Sequence, residues 1–146
     1  MSRSDLLAGL EGEVGVMVRR IRRIIGERSR AVHPELQPAS YLLLAWLVSH
    51  GPQRGSALAE QLGIDKGAIS RQIQNLEELG LVSRSADPDD GRAMLVAAEP
   101  AVVERLAAVN DERRRWLDQR LGDWSDDELA TFVAQLARYN SALEAR

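Results

Sequence analysis

Residues 56–96 read SALAEQLGIDKGAISRQIQNLEELGLVSRSADPDDGRAMLV, and this stretch decides the fold. Two short helices are expected, Ser56–Leu62 and Lys66–Leu79, joined by Gly63, Ile64 and Asp65. The glycine can take the left-handed conformation that ends a helix, and the aspartate can cap the next one. Leu58, Leu62, Ile64, Ile69, Ile73 and Leu76 supply a small shared core. Two helices packed in this way across a tight turn make a helix-turn-helix. Beyond Gly80, Leu81–Arg84 and Met94–Ala97 read as short strands. Between them lies Asp87-Pro88-Asp89-Asp90-Gly91, dense in turn residues, so the pair is expected to form a hairpin.

The outer face of the second helix carries the chemistry. With Ile69, Ile73 and Leu76 turned inward, Gly67, Ser70, Arg71 and Gln74 share one stripe, and Lys66 lies near its start. Arg71 can pair with guanine through two hydrogen bonds, and Gln74 can do the same with adenine. Ser70 and the helix N-terminus can bind phosphate, and Gly67 lets the backbone approach closely. Glu77 and Glu78 stand at the far end, away from the bases in this docking. Arg92 follows the hairpin tip, where a guanidinium can enter a narrow minor groove. Asp90 could brace that guanidinium, and Arg84 could reach phosphate from the first strand. Taken alone, residues 66–79 would suit an ordinary amphipathic surface helix. The matching helix before them and the hairpin after them favour a double-stranded DNA reader.

Working outward, the N-terminal segment forms a long helix, Ser4–Val32, with Leu7, Leu10, Val14, Met17, Ile21 and Ile24 on a heptad-like seam. Arg19, Arg22, Arg23 and Arg30 occupy its other face. A helix this long in so small a protein needs something to cover its seam, and a second copy of the chain is the simplest supply. Pro38 suits the first turn of the next helix, whose Tyr41–Val48 segment is apolar almost all round. After the hairpin, helix resumes near Pro100 and breaks at Gly122. Ser125 and Glu128 form a capping box for the last helix, where Leu129, Phe132, Val133, Leu136 and Leu143 recur. The expected class is mainly α with a small β-hairpin wing. Residues 38–99 form the winged helix-turn-helix DNA-binding region, and residues 1–37 and 100–146 a helical dimerisation region.

Composition excludes several functions. The chain has 146 residues, of which 45% are apolar, enough for one ordinary domain. It has no cysteine, which removes disulfides, thiolate nucleophiles and thiol redox sensing. The two histidines, His33 and His50, are too isolated for a metal site. Glycine-rich phosphate loops and nucleophile elbows are missing, so neither an enzyme nor a cofactor is expected. No apolar run reaches the length of a membrane span, which leads to the expectation of a cytoplasmic protein without membrane partners. The net charge of −3 sits uneasily with DNA binding, but the placement of charge matters more than its sum. Overall acidity would suit a protein-interaction module, the chief competing reading. Such a module would have no need of the Ser70, Arg71, Gln74 and Arg92 layout. Met17, Tyr41, Trp46 and Trp116 could line a ligand pocket between the first, second and fifth helices. Plain core packing explains them more simply.

The run Leu62-Gly63-Ile64-Asp65-Lys66-Gly67-Ala68-Ile69-Ser70-Arg71, followed by Leu76-Glu77-Glu78-Leu79-Gly80-Leu81-Val82, resembles the recognition helix of the MarR family of bacterial regulators. Asp87-Pro88-Asp89-Asp90-Gly91-Arg92 resembles that family's wing, with its Asp-x-Arg signature on Asp90 and Arg92. The resemblance implies a homodimer in which the first and last two helices pair between subunits. It also implies a pseudo-palindromic operator, a repressor role, and release by a small, often aromatic, ligand. Three positions depart from the family's pattern. Ala98-Glu99-Pro100 replaces a Leu-Thr and nearby glycine. Gln37 stands where a threonine commonly precedes the proline. Arg54 stands near the usual polar cap of the third helix, where it could touch phosphate instead.

Overall fold

A computed structural model describes residues 1–144, in which six helices and three short strands follow one another. They are α1 (Arg3–Val32), α2 (Pro38–His50), β1 (Gln53–Arg54), α3 (Gly55–Leu62), α4 (Lys66–Glu78), β2 (Val82–Ala86), β3 (Met94–Ala98), α5 (Pro100–Arg120) and α6 (Asp126–Glu144). Each boundary has a local cause. Ser2 and Asp5 form a capping box at the head of α1. Pro38 opens α2, where its missing N–H costs no hydrogen bond. Gly63 ends α3 in the left-handed region, at φ 62° and ψ 33°. Ser125 and Glu128 each satisfy the other's backbone N–H, at 3.1 and 2.7 Å, and so start α6 as expected.

The sheet has three antiparallel strands in the order β1-β3-β2, one more than the sequence reading anticipated. Gln53 pairs with Val96 and Arg54 with Leu95, which makes the wing's return strand the centre of the sheet. On the other side Val82 pairs with Ala98, and the ladder runs to Ala86 opposite Met94.

The chain divides into two compact units, Met1–Ala108 and the residues from Val109 on. In the first unit, Leu43, Leu44 and Leu47 of α2 form the middle of the core. Leu58 of α3, Ile69, Ile73 and Leu76 of α4, Val96 of β3, and Val102 and Leu106 of α5 close around them. Arg105 donates to the Val32 carbonyl at 2.8 Å and so satisfies an acceptor at the C-terminal end of α1. The seam of α1 stays open toward its N-terminus, where Leu6, Leu7 and Leu10 are exposed. In the second unit, α6 has no buried residue among those described, and Leu129, Phe132, Val133 and Leu143 face outward. Trp124 and Phe132 meet edge to face, their ring centroids 5.5 Å apart. No helix among the described residues is long and apolar enough to cross a membrane.

Candidate nucleic-acid interface

Helix α4 is built as its periodicity requires. Ile69, Ile73 and Leu76 are buried, and this fixes the rotation of the helix about its axis. Lys66, Gly67, Ser70, Arg71 and Gln74 are thereby turned outward, and all five are exposed. Asp65 caps the helix by accepting from the Ala68 N–H at 3.2 Å. A Cβ at residue 67 would lie 3.0 Å from that same carboxylate oxygen and 3.5 Å from Nη1 of Arg71. Gly67 therefore spares the Asp65 cap a tight contact, while the approach to Arg71 would be an ordinary one.

The polar groups of this face differ in what already holds them. Among the described residues, Lys66, Arg71 and Arg92 have no carboxylate partner. Gln74 donates to Glu78 at 3.3 Å, one turn further along α4. Arg84, on β2, donates through Nε to Glu77 at 3.0 Å. The two glutamates at the far end of the helix thus hold two of the residues proposed to meet DNA. Both groups of the Arg84–Glu77 pair are more than a third exposed, so the bond is cheap to exchange.

The wing is organised by carboxylates acting on backbone. Asp90 does not brace the guanidinium of Arg92; its Oδ1 accepts from the Arg92 backbone N–H at 3.0 Å. The turn geometry explains this, because a carboxylate two residues upstream meets the N–H before the side chain can fold back. The Arg92 side chain is left exposed, with no ion pair to the described residues. Asp87, nearly buried, accepts from the Asp89 N–H at 2.9 Å and takes both Nε and Nη2 of Arg54 on Oδ2, each at 2.7 Å. Its carboxyl is held below its ordinary value of 3.8, first by the Asp89 N–H and then by Arg54. Arg54 is shifted the other way, its guanidinium held charged by Asp87. Arg54 gives α3 no side-chain cap, and its guanidinium is committed to the wing. Sequence reasoning missed this contact, which joins residues 33 positions apart.

The residues considered for a small ligand fall in both units. Tyr41 is buried at 4% exposure, while Met17 is exposed at 36%. Trp46 donates to Gln61 at 3.2 Å and stacks on His50 with centroids 3.9 Å apart. Trp116 lies in the second unit, 48% exposed, with the Arg120 guanidinium over its ring at 5.4 Å.

Comparison with known proteins agrees with this geometry. The MarR family profile matches residues 36–94. An uncharacterised HTH-type transcriptional regulator of Bacillus subtilis, YxaD, is 34% identical over 133 residues, covering 91% of this chain and 92% of its own. A MarR family protein from Bacillus stearothermophilus shares the fold at a TM-score of 0.74, with 20% identity over 99% of both chains. The PcaV transcriptional regulator of Streptomyces coelicolor, solved in complex with its natural ligand, has a TM-score of 0.62 and 24% identity, covering 94% of this chain and 96% of its own.

Proposed function

The chain belongs to the MarR family of DNA-binding transcriptional regulators, and from that premise we propose that it is a homodimeric repressor of a pseudo-palindromic operator. The observation that carries this is the outward stripe of α4, with Ser70 and Arg71 exposed beside Gln74 while Ile69, Ile73 and Leu76 are buried. In this reading α4 enters the major groove, and Arg71 and Gln74 meet base edges. Lys66, Ser70 and Arg84 meet phosphate, and Arg92, shaped by Asp90, reaches the minor groove. Residues 38–99 serve DNA, while residues 1–37 and 100–146 serve dimerisation. The exposed leucines of α1 and an α6 with no buried residue support a second copy as their cover. Repression is steric: a dimer in the cytoplasm occupies a promoter and excludes polymerase.

Half-sites about one helical turn apart, ~34–36 Å, demand a fixed separation of the two reading helices. A ligand that changes this separation would release the DNA. The natural ligand in the PcaV structure supports such a trigger here. A small aromatic molecule is the proposed class, with Met17, Tyr41, Trp46 and Trp116 as its candidate contacts.

The test is a mobility-shift titration with DNA from upstream of the gene, at two salt concentrations and against a scrambled competitor. Binding that survives competitor and weakens steeply with salt is the expected result. A folded dimer that ignores every duplex, including one offered from a random-sequence pool, would replace this reading with a protein-interaction module.

A further inference from the structure

Among the described residues, the wing loop is tied to the other elements by one side-chain ion pair. Within residues 87–93 the backbone closes on itself: the Asp87 N–H donates to the Ala93 carbonyl, the Asp90 N–H to Asp87, and the Ala93 N–H to Asp90. The side-chain bonds from Asp87 to Asp89 and from Asp90 to Arg92 are local as well. Among the described residues, only the pair between Arg54 and Asp87 carries a side-chain bond from this loop to another element. Arg54 is the last residue of β1 and immediately precedes α3. It pairs with Leu95, the residue that faces Ser85 from the other side. Its guanidinium therefore crosses the central strand and joins both edges of the sheet. Asp87 is nearly buried, and a carboxylate taken that far from water needs a charged partner with good geometry. Two guanidinium nitrogens at 2.7 Å provide it.

We propose that Arg54 and Asp87 are positioning residues for the wing: their ion pair fixes the loop carrying Arg92 relative to α3 and α4 before DNA is met. The proposal rests on the reading of α4 and the wing as the DNA contact. Its physical content is preorganisation. A loop held in place need not be ordered at the moment of binding, and ordering then would be subtracted from affinity. Arg92 also stays at a set distance from Arg71, as one rigid module spanning two grooves requires. Neither Arg54 nor Asp87 has to touch the duplex for this.

A double-mutant cycle tests it. Wild type, Asp87→Asn, Arg92→Ala and the double variant are titrated on a duplex that the wild type selects from a random-sequence pool. Arg92→Ala in the wild-type background should weaken binding about tenfold. In the Asp87→Asn background the same change should cost less than about twofold, because a loose wing has already lost that contact. Arg54→Gln should reproduce Asp87→Asn and keeps the test open if the latter folds poorly. Hydrogen exchange on the free protein provides the second readout. Amides of Asp89, Asp90 and Ala93 should exchange faster in either variant, while those of Ile69 and Ile73 should not. Additive losses, or unchanged wing exchange, overturn the positioning role and leave the DNA-binding reading standing. A wild type that selects no duplex overturns both.

Discussion

Arg71 and Gln74 lie about one helical turn apart on α4, yet they enter a binding event in different states. Arg71 has no partner to surrender among the described residues, whereas Gln74 must leave Glu78. Loss of Arg71 should therefore appear almost wholly as lost recognition. Arg71→Ala is expected to cost roughly 1–3 kcal/mol of specific binding and to relax preference at one base pair. Titration against a set of single-base operator variants checks this, and an unchanged preference would place the reading register elsewhere. Arg84 poses the converse case, because Glu77 already neutralises it at 3.0 Å. The pair is exposed, so Glu77→Gln should change stability by no more than about 1 kcal/mol. In the proposed complex Arg84 exchanges Glu77 for phosphate, so Arg84→Ala should flatten the slope of log affinity against log salt by about one phosphate contact. An unaltered slope would mean that Arg84 does not reach the backbone.

Among the elements, α4 and the wing depend on local acidic groups in different ways. The Asp65 cap at the head of α4 satisfies one otherwise orphaned N–H. Asp65→Ala should cost about 1 kcal/mol of stability, read by thermal unfolding, and should fray the end that meets phosphate. In the wing, Asp87 has a folded carboxyl below its ordinary value of 3.8. Its contribution is therefore fully present above that value and is lost as pH falls through the depressed one. The difference in melting temperature between wild type and Asp87→Asn should be constant near neutrality and shrink below about pH 4. These same elements show what the sequence alone makes legible. Gly63, Asp65 and the Ser125–Glu128 box announce themselves because their partners lie within a few residues. The outward stripe of α4 was legible for a related reason, since the buried Ile69, Ile73 and Leu76 fix its rotation. β1 was not, because two residues have no periodicity and its partners, Leu95 and Val96, lie some forty positions away. Arg54 looked like a failed helix cap for the same reason: its partner is set by the sheet, not by spacing. The Arg84–Glu77 pair likewise exists only once β2 returns past α4.

At the scale of the whole molecule, the main energetic question is what covers the apolar surface left open in each unit. Helix α6 spans 19 residues, none of them buried. Isolated helices of this length are marginal in water, and caps such as Ser125–Glu128 add only about 1 kcal/mol. Phe132 and Val133 on α6, and Leu7 and Leu10 on α1, are 42–58% exposed, and burying the remaining half of each would release roughly 1 kcal/mol. A second copy that buries them would couple folding to association, so the melting temperature should rise with protein concentration. Leu10→Asp and Phe132→Asp should each shift the sedimentation coefficient toward monomer, lower the melting temperature and abolish its concentration dependence. Neither residue belongs to the reading face, so both variants should retain weak, salt-sensitive binding to a half-site while losing the full operator. The operator loss follows from the dyad, because one module engages one half-site and the second adds its affinity only through the linkage. Variants that remain dimeric with unchanged melting would place the interface on another face. Variants that become monomeric yet bind the full operator as before would show that the chain reads DNA as a single module.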